Sequence, residues 1–290
     1  MRGLQSLAVI LLALAACRSP ERAHAVPTGK RHYELFVPTD KPNMPLVIVL
    51  HGNGGSGRQI ERTTSFDSIA AREQFIVVYP DAIDHHWNDG RPELETGVDD
   101  VAFIASLIDE LAARYAIDRS RVYITGASNG GMMAYRLGCD LADRIAAIAP
   151  VIGNLPATIH CEPHAPLSVL AINGSADPLV PYAGGAVARG RGTVLSAALS
   201  TSHFATRAGC GPATATVDEP DADPNDGSRT LRTSYPCPAP VSVELLTLDG
   251  AGHTWPGGKQ YLPKRLIGGT SRDFDGAERI WEFFSTHTRT

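Results

Sequence analysis

The chain has 290 residues, of which 43% are hydrophobic and 20% are charged, with a formal net charge of −5. This is the composition of an ordinary globular protein, and it excludes a largely disordered chain or a bundle of membrane helices. No run of lysine and arginine stands out in the sequence, so neither nucleic acid nor an anionic membrane surface is expected as a partner.

The first 16 residues have the features of an export signal. Arg2 gives a positive start, and the apolar run over residues 7–16 is about half as long as a membrane-spanning helix requires. The sequence up to Cys17 also resembles a bacterial lipobox, where the signal is cut before a cysteine that then carries lipid. We expect either an exported lipoprotein, held to a membrane only by that anchor, or a plain signal peptide cut nearby.

After Cys17, residues 17–30 are polar and are expected to form a short tether. Residues 31–290 then form a single domain, since one α/β domain can reach this length. Short apolar runs alternate there with helical patterns. Strands are predicted at residues 31–37, 46–50, 76–79, 122–125, 146–149, 169–172 and 243–248. Helices are predicted at residues 99–115, 129–137, 196–208 and 275–285, the first capped by Asp99 or Asp100.

This alternation predicts an α/β fold with a mostly parallel central sheet and helices on both faces. Ligands of such sheets bind beyond the carboxyl ends of the strands. The acidic stretch 218–228 is expected to be a solvated hairpin loop. A calcium loop is the alternative, but Gly227 is one place late for an EF-hand and no glutamate closes the loop.

Four cysteines remain when Cys17 is set aside. In an exported protein an even number suggests disulfides, and four cysteines allow three pairings. We expect the nearest-neighbour pairing because it closes the shortest loops; its members are Cys139 with Cys161 and Cys210 with Cys237. A zinc site is the alternative, although no CxxC or CxxH spacing supports it, and no metal is expected.

A G-x-S-x-G motif marks the first candidate for chemistry. Residues 126–130 follow a predicted strand and open a predicted helix, which is the context that this motif requires. The turn would lift the Ser128 hydroxyl above the sheet, with the positive end of the helix directed at it. The alternative is a glycine-rich turn with an inert serine.

A serine nucleophile needs a base, and the base needs an acid to orient it. His253 follows the last long strand between glycines, and Asp177 follows the strand before it. The chain order Ser, Asp, His is that of the α/β-hydrolases. Three other acids remain possible orienting groups: Asp218, Asp221 and Asp249.

The loop after the strand 46–50 reads His-Gly-Asn-Gly-Gly, which is typical of a loop that donates a backbone amide to an oxyanion. We predict the amides of Asn53 and Asn129 as the two donors, with Gly54 as the alternative to Asn53. His51 is predicted to hold the loop in place and not to act as a second base.

These motifs together resemble the polyhydroxybutyrate depolymerase and feruloyl esterase group of α/β-hydrolases. The resemblance rests on residues 51–55, 87–90, 98–101, 126–132, 177–182 and 252–258 and spans nearly all of the chain after the signal. It implies the α/β-hydrolase fold, ester hydrolysis through a serine acyl-enzyme and no cofactor. The four cysteines also resemble that group's two disulfides.

Members of this group act on hydroxyalkanoate polyesters or on feruloyl and acetyl esters of plant polysaccharides. We expect hydroxyalkanoate esters here, with the feruloyl and acetyl esters as the alternative. Trp87 and Trp255 either line the substrate pocket or belong to the core. A serine peptidase and a non-catalytic binding lipoprotein are the rival functions, and the sequence does not indicate an oligomeric state.

Overall fold

The structure is a computed structural model that describes residues 21–24, 31–39, 41–94 and 97–289. The predicted signal peptide and Cys17 lie outside the described residues. The strands are β1 (Glu21–His24), β2 (Tyr33–Val37), β3 (Leu46–Leu50), β4 (Ile76–Pro80), β5 (Val122–Ala127), β6 (Ala147–Val151), β7 (Ser168–Gly174), β8 (Gly185–Ala186), β9 (Thr193–Val194), β10 (Val217–Asp218), β11 (Arg229–Tyr235) and β12 (Val243–Asp249). The α-helices are α1 (Gly57–Thr63), α2 (Phe66–Glu73), α3 (Asp100–Tyr115), α4 (Asn129–Asp140), α5 (Ala197–Arg207), α6 (Lys264–Ile267) and α7 (Gly276–Ser285).

Ten strands form one sheet in the order β1-β2-β4-β3-β5-β6-β7-β12-β11-β10. The six central strands, from β4 to β12 in that order, pair in parallel, and the two strands at each end pair antiparallel. The short strands β8 and β9 make a separate hairpin. The mostly parallel sheet predicted from the alternation of elements is therefore confirmed.

The apolar strands divide their side chains between two cores. In β3, Leu46, Ile48 and Leu50 pack with α3, α4 and α5 on one face, while Val47 and Val49 pack with α1, α2 and α7 on the other. All five β3 residues are buried, because side chains of a strand alternate between faces that are both covered by helices. Within the described part of the chain, no helix is long and apolar enough to cross a bilayer.

Several elements differ from the sequence prediction. The expected tether is wrong in part, because the backbone of Glu21–His24 pairs antiparallel with β2 as an edge strand. The helices α1 and α2 were not predicted, and neither were the strands β10 and β11. These two strands form the predicted hairpin around the acidic loop, and polar residues suit a strand near the sheet edge.

Two disulfides join the four described cysteines in the predicted pairing. Cys139, in the last turn of α4, is bonded to Cys161 after β6, and Cys210, just after α5, is bonded to Cys237 after β11. The zinc alternative is wrong because these bonds use all four thiols. Disulfides persist in oxidising compartments, so they support export of the protein.

Candidate active site

Ser128 occupies a strained turn between β5 and α4. Its φ of 56° and ψ of −117° lie outside the regions that residues with a side chain usually adopt. A Cβ on Gly126 would lie 2.7 Å from the backbone of Gly130, and one on Gly130 would lie 2.3 Å from the Leu50 carbonyl oxygen. The motif needs glycine at both positions because the strands and the helix meet there without room for a side chain.

Asp177 and His253 are in direct contact. The Nδ1 atom of His253 lies 2.6 Å from Oδ2 of Asp177, and both side chains are almost fully buried. A carboxylate can only accept, so Nδ1 carries the proton and Nε2 is left as the basic nitrogen. The other Asp177 oxygen accepts from the backbone amides of Leu179 and Val180, which fixes the orientation of the carboxylate.

The backbone of the His253 loop is also held in place. Its amide donates to the Ile267 carbonyl at 2.5 Å, and its carbonyl accepts from the Tyr261 hydroxyl at 3.1 Å. The three other acids considered from the sequence are not at this position: Asp249 contacts Ser175 and Arg229, while Asp218 and Asp221 lie in or beside the exposed loop between β10 and β11.

Ser128, Asp177 and His253 follow β5, β7 and β12, three parallel strands of the same sheet. All three residues therefore lie at its carboxyl edge, where α/β proteins bind ligands. The loops at this edge approach one another closely, since a Cβ on Gly174 would lie 2.5 Å from the Ala251 carbonyl oxygen. Ser128 itself is only partly buried.

The two predicted oxyanion amides belong to the loop after β3 and to the start of α4. Asn129 is the first residue of α4, where backbone amides have no partner within the helix. In the loop after β3, the amide of Gly54 already donates to the His85 carbonyl at 2.7 Å and that of Gly55 to the Gly52 carbonyl at 3.0 Å. Asn53 is thus favoured over Gly54, because no described residue accepts a hydrogen bond from its amide.

His51 holds the start of this loop, in agreement with the sequence prediction. Its Nε2 accepts from the Ala82 amide at 3.1 Å, so Nδ1 carries the proton and donates to the Gly52 carbonyl at 2.8 Å. Burial lowers the pKa of His51 below its usual value, which favours the neutral ring that this arrangement needs. Backbone groups of Ala82 and Gly52 occupy both ring nitrogens, so the ring is not a second base.

Both tryptophans belong to the core. Trp87 is fully buried, with its indole Nε1 donating to the His51 carbonyl at 2.9 Å, and Trp255 is packed edge-on against Phe66. The alternative that they line an open pocket is therefore disfavoured. Three of the exposed large apolar side chains lie instead in one short segment after His253: Tyr261, Leu262 and Leu266.

The sequence analysis missed two buried ion pairs, one of which contacts Asn129 and the other Asn88. Asp89 forms a two-point ion pair with Arg91, and Asp100 pairs with Arg31, all four residues being almost fully buried. Asp99 alone caps α3, with its side chain accepting from the Ala102 amide. A charged residue in a sequence usually predicts a solvent-exposed side chain. Arg31 and Asp100 are 69 positions apart, so their pairing leaves no local signal in the sequence.

Comparison with known proteins agrees with the geometry. Residues 32–188, more than half of the chain, match the family model described as Esterase PHB depolymerase. The chain belongs to this family. It is 30% identical to NocK of Nocardia uniformis subsp. tsuyamanensis, described as a putative esterase, over 273 residues, which cover 87% of this chain and 78% of NocK.

One further relative and one solved structure are similar to the chain. The chain is 32% identical to feruloyl esterase B of Piromyces equi over 74% of its own length but only 40% of that protein. Its fold matches that of an acetyl xylan esterase from Aspergillus awamori, with a TM-score of 0.63 at 16% identity, covering 92% of this chain and 99% of the other. The protein is a carboxylic-ester hydrolase with the α/β-hydrolase fold.

Proposed function

We propose that the chain hydrolyses carboxylic esters through an acyl-enzyme formed on Ser128, with His253 as the base and Asp177 as the orienting acid. The observation that carries this proposal is the buried contact of 2.6 Å between His253 and Asp177 at the same sheet edge as the Ser128 turn. A base oriented by a buried carboxylate is what a serine needs to attack an acyl group.

In the first half of the reaction, the Ser128 oxygen attacks the ester carbonyl carbon while His253 Nε2 takes the hydroxyl proton. The oxyanion accepts hydrogen bonds from the amides of Asn53 and Asn129. When the tetrahedral intermediate collapses, the bond to the alcohol oxygen breaks, and the imidazolium gives its proton to that oxygen.

In the second half, water attacks the acyl group on Ser128 and His253 takes its proton. The acyl–serine bond then breaks, the proton returns to the Ser128 oxygen and the carboxylic acid leaves. Asp177 stays ionised throughout and stabilises the positive charge on the imidazole. Every group in these two halves comes from the chain, the substrate or water.

The substrate class that we propose is a hydroxyalkanoate ester of the polyhydroxybutyrate type. The description of the matching family supports this class, as do the exposed apolar side chains of Tyr261, Leu262 and Leu266 near His253. Feruloyl or acetyl esters of plant polysaccharides are the second candidate, supported by the names of the Piromyces equi and Aspergillus awamori relatives.

The test is hydrolysis of p-nitrophenyl esters from acetate to octanoate, with methyl ferulate and a hydroxybutyrate oligomer, by wild type and Ser128→Ala. We expect turnover that the substitution abolishes, and the preferred acyl group then decides between the two substrate classes. Hydrolysis of matched amides in preference to esters would favour the peptidase. A folded wild type that turns over neither would leave the binding function.

We also propose that residues 31–290 act as a single catalytic domain and that Cys17 carries a lipid after cleavage of residues 1–16. The lipobox-like sequence before Cys17 supports the anchor. In the native host, wild type should fractionate with membranes and Cys17→Ser should not. Equal partition of both proteins into the aqueous fraction would contradict the anchor without affecting the esterase.

A further inference from the structure

Residues 82–91, the bridging segment, run along the loop that carries Asn53. The Ala82 amide donates to His51 Nε2, and the His85 carbonyl accepts from the Gly54 amide. His85 Nδ1 also lies 2.9 Å from the Gly55 carbonyl, to which it donates. These three hydrogen bonds join the bridging segment to one side of the candidate oxyanion hole.

Trp87 connects this loop to the other side of the oxyanion hole. Its indole Nε1 donates to the His51 carbonyl at 2.9 Å. Its backbone amide donates to the Asn129 side-chain oxygen at 2.7 Å, and its carbonyl accepts from the Asn129 Nδ2 atom at 3.0 Å. One fully buried residue thus touches both the loop before Asn53 and the residue whose amide is the second candidate donor.

Asp89 strengthens the contact with Asn129. Its Oδ2 atom accepts from Asn129 Nδ2 at 2.7 Å and from Arg91 Nη2 at 2.6 Å. Arg91 in turn donates to the Arg191 carbonyl at 2.5 Å, so its charge is satisfied on two sides. Hydrogen bonds to ionised groups are shorter and stronger than neutral ones, and the Asp89 carboxylate makes such a bond to the Asn129 nitrogen. The Asn129 oxygen is held by the Trp87 backbone amide, so both ends of the side-chain amide are fixed.

The backbone of the bridging segment is strained. Asp84 and His85 are adjacent residues with φ values of 52° and 61°, in the left-handed region that favours glycine. Such conformations persist where surrounding contacts fix them, and they cluster at functional sites. The hydrogen bonds of His85 with Gly54 and Gly55 help to fix this turn.

We propose that Trp87 and Asp89 are positioning residues, which set the separation of the Asn53 and Asn129 amides and so preorganise the oxyanion hole. This inference rests on the proposed function. Oxyanion donors are effective only when they are already placed about 2.7–3.1 Å from the developing charge. The Trp87 indole binds the loop that carries Asn53, and the Trp87 backbone binds the Asn129 side chain, so one buried residue fixes both donors together. Two independent loops would fluctuate separately.

The experiment compares Trp87→Phe and Asp89→Asn with wild type, and uses Trp281→Phe as the matched control. Trp281 is also a buried indole, but it packs in the core on the opposite face of the sheet, stacked on Phe75. For each protein, kcat and KM are measured on p-nitrophenyl acetate, together with the inhibition constant of an alkylboronic acid, whose serine adduct is tetrahedral. Hydrogen exchange of residues 51–55 is measured by mass spectrometry.

We expect Trp87→Phe to lower kcat roughly 10-fold to 100-fold, less than the full loss of one oxyanion donor, with KM within about twofold. The boronic acid should bind more weakly by a similar factor. Exchange at Gly54 and Gly55 should accelerate, because their hydrogen bonds depend on this arrangement. Asp89→Asn should show the same pattern more weakly, and Trp281→Phe should change thermal stability alone.

The proposal is overturned if Trp87→Phe and Asp89→Asn retain the wild-type kcat and the wild-type exchange at residues 51–55. It is also overturned if Trp281→Phe has the same effect on kcat, since the loss would then be general destabilisation. An inactive wild type would contradict the proposed esterase. Hydrogen exchange needs no substrate, so the exchange rates would still show whether Trp87 and Asp89 hold the loop over residues 51–55. If Trp87→Phe fails to fold, the same measurements of kcat, boronic acid inhibition and hydrogen exchange on Asp89→Asn test the proposal.

Discussion

The two sides of the Ser128 turn are built differently. On the side of Asn53 and Asn129, the supporting residues are charged or aromatic and fully buried, with Trp87 and Asp89 each 0% exposed. On the side of His253, support comes mainly from backbone hydrogen bonds, and Tyr261 and Leu266 are 55% and 50% exposed. We call the first the fixed side and the second the exposed side. The fixed side suits charge stabilisation, which needs preorganised dipoles, whereas the exposed side suits contact with variable substrates.

The largest effect is expected from loss of the buried contact between Asp177 and His253. Asp177→Asn should lower kcat about 10⁴-fold, because an amide at this position holds the imidazole in the wrong tautomer. Asp249→Asn is the matched control, since Asp249 is the last residue of β12, the strand beside β7, but contacts Ser175 and Arg229. Ester hydrolysis measures both, and a loss of similar size in the two variants would remove Asp177 from its proposed role.

The two disulfides differ in burial: Cys139 and Cys161 are buried, whereas Cys210 and Cys237 are partly exposed. Replacing Cys139 and Cys161 with alanine should lower the free energy of unfolding by about 3 kcal/mol, the loop-closure value for this length. The Cys210–Cys237 loop is of similar length, but those residues are less buried, so its removal should cost no more. Urea unfolding of both double variants measures the difference, and a larger loss at Cys210–Cys237 would reverse this order.

Acid should weaken the fixed side through His51. Burial lowers its folded pKa, so the unfolded chain takes up a proton below pH 6.5 that the folded chain does not. The free energy of unfolding should therefore fall as the pH falls below 6.5, by up to about 1.4 kcal/mol per pH unit for this group. His287 has a lowered pKa for the same reason, and its contribution is separated by repeating the urea series on His287→Gln.

A flat stability between pH 7 and pH 5.5 in the His287→Gln variant would show that His51 is protonated in the folded protein. That result would contradict the assigned hydrogen bond from the Ala82 amide to Nε2, because a protonated ring has no acceptor.

The smallest effect is expected on the exposed side. Leu266→Ala should change the free energy of unfolding by less than about 0.5 kcal/mol, since the side chain is half exposed. Leu107→Ala, in the buried stripe of α3, should cost about 2–5 kcal/mol. Urea midpoints of the two variants test the contrast, and a cost above about 2 kcal/mol at Leu266 would mean that the segment supports the fold.

The fold and the contact of Asp177 with His253 were accessible from sequence because each depends on a local signal. Buried strands such as 46–50 are continuous apolar runs, and the candidate residues follow such strands directly. The bridging segment was not accessible, because its contacts with Asn129 join residues that are 40 and 42 positions apart in the chain. Trp87 was ambiguous for a related reason: an indole can serve equally in a core or a pocket. The strand β11, near the sheet edge, is mostly polar and lacks the apolar run that identified its neighbours.

Helix α4 is anchored at both ends, and this has a practical consequence for producing the protein. Its first residue is held by Trp87 and Asp89, and its last turn is cross-linked through Cys139, roughly 15 Å away along the axis. Synthesis in a reducing cytoplasm would leave the far end of the helix without its cross-link. Recombinant enzyme intended for kinetic work should therefore be directed to the periplasm or oxidatively refolded, with free thiols counted before specific activities are compared between batches.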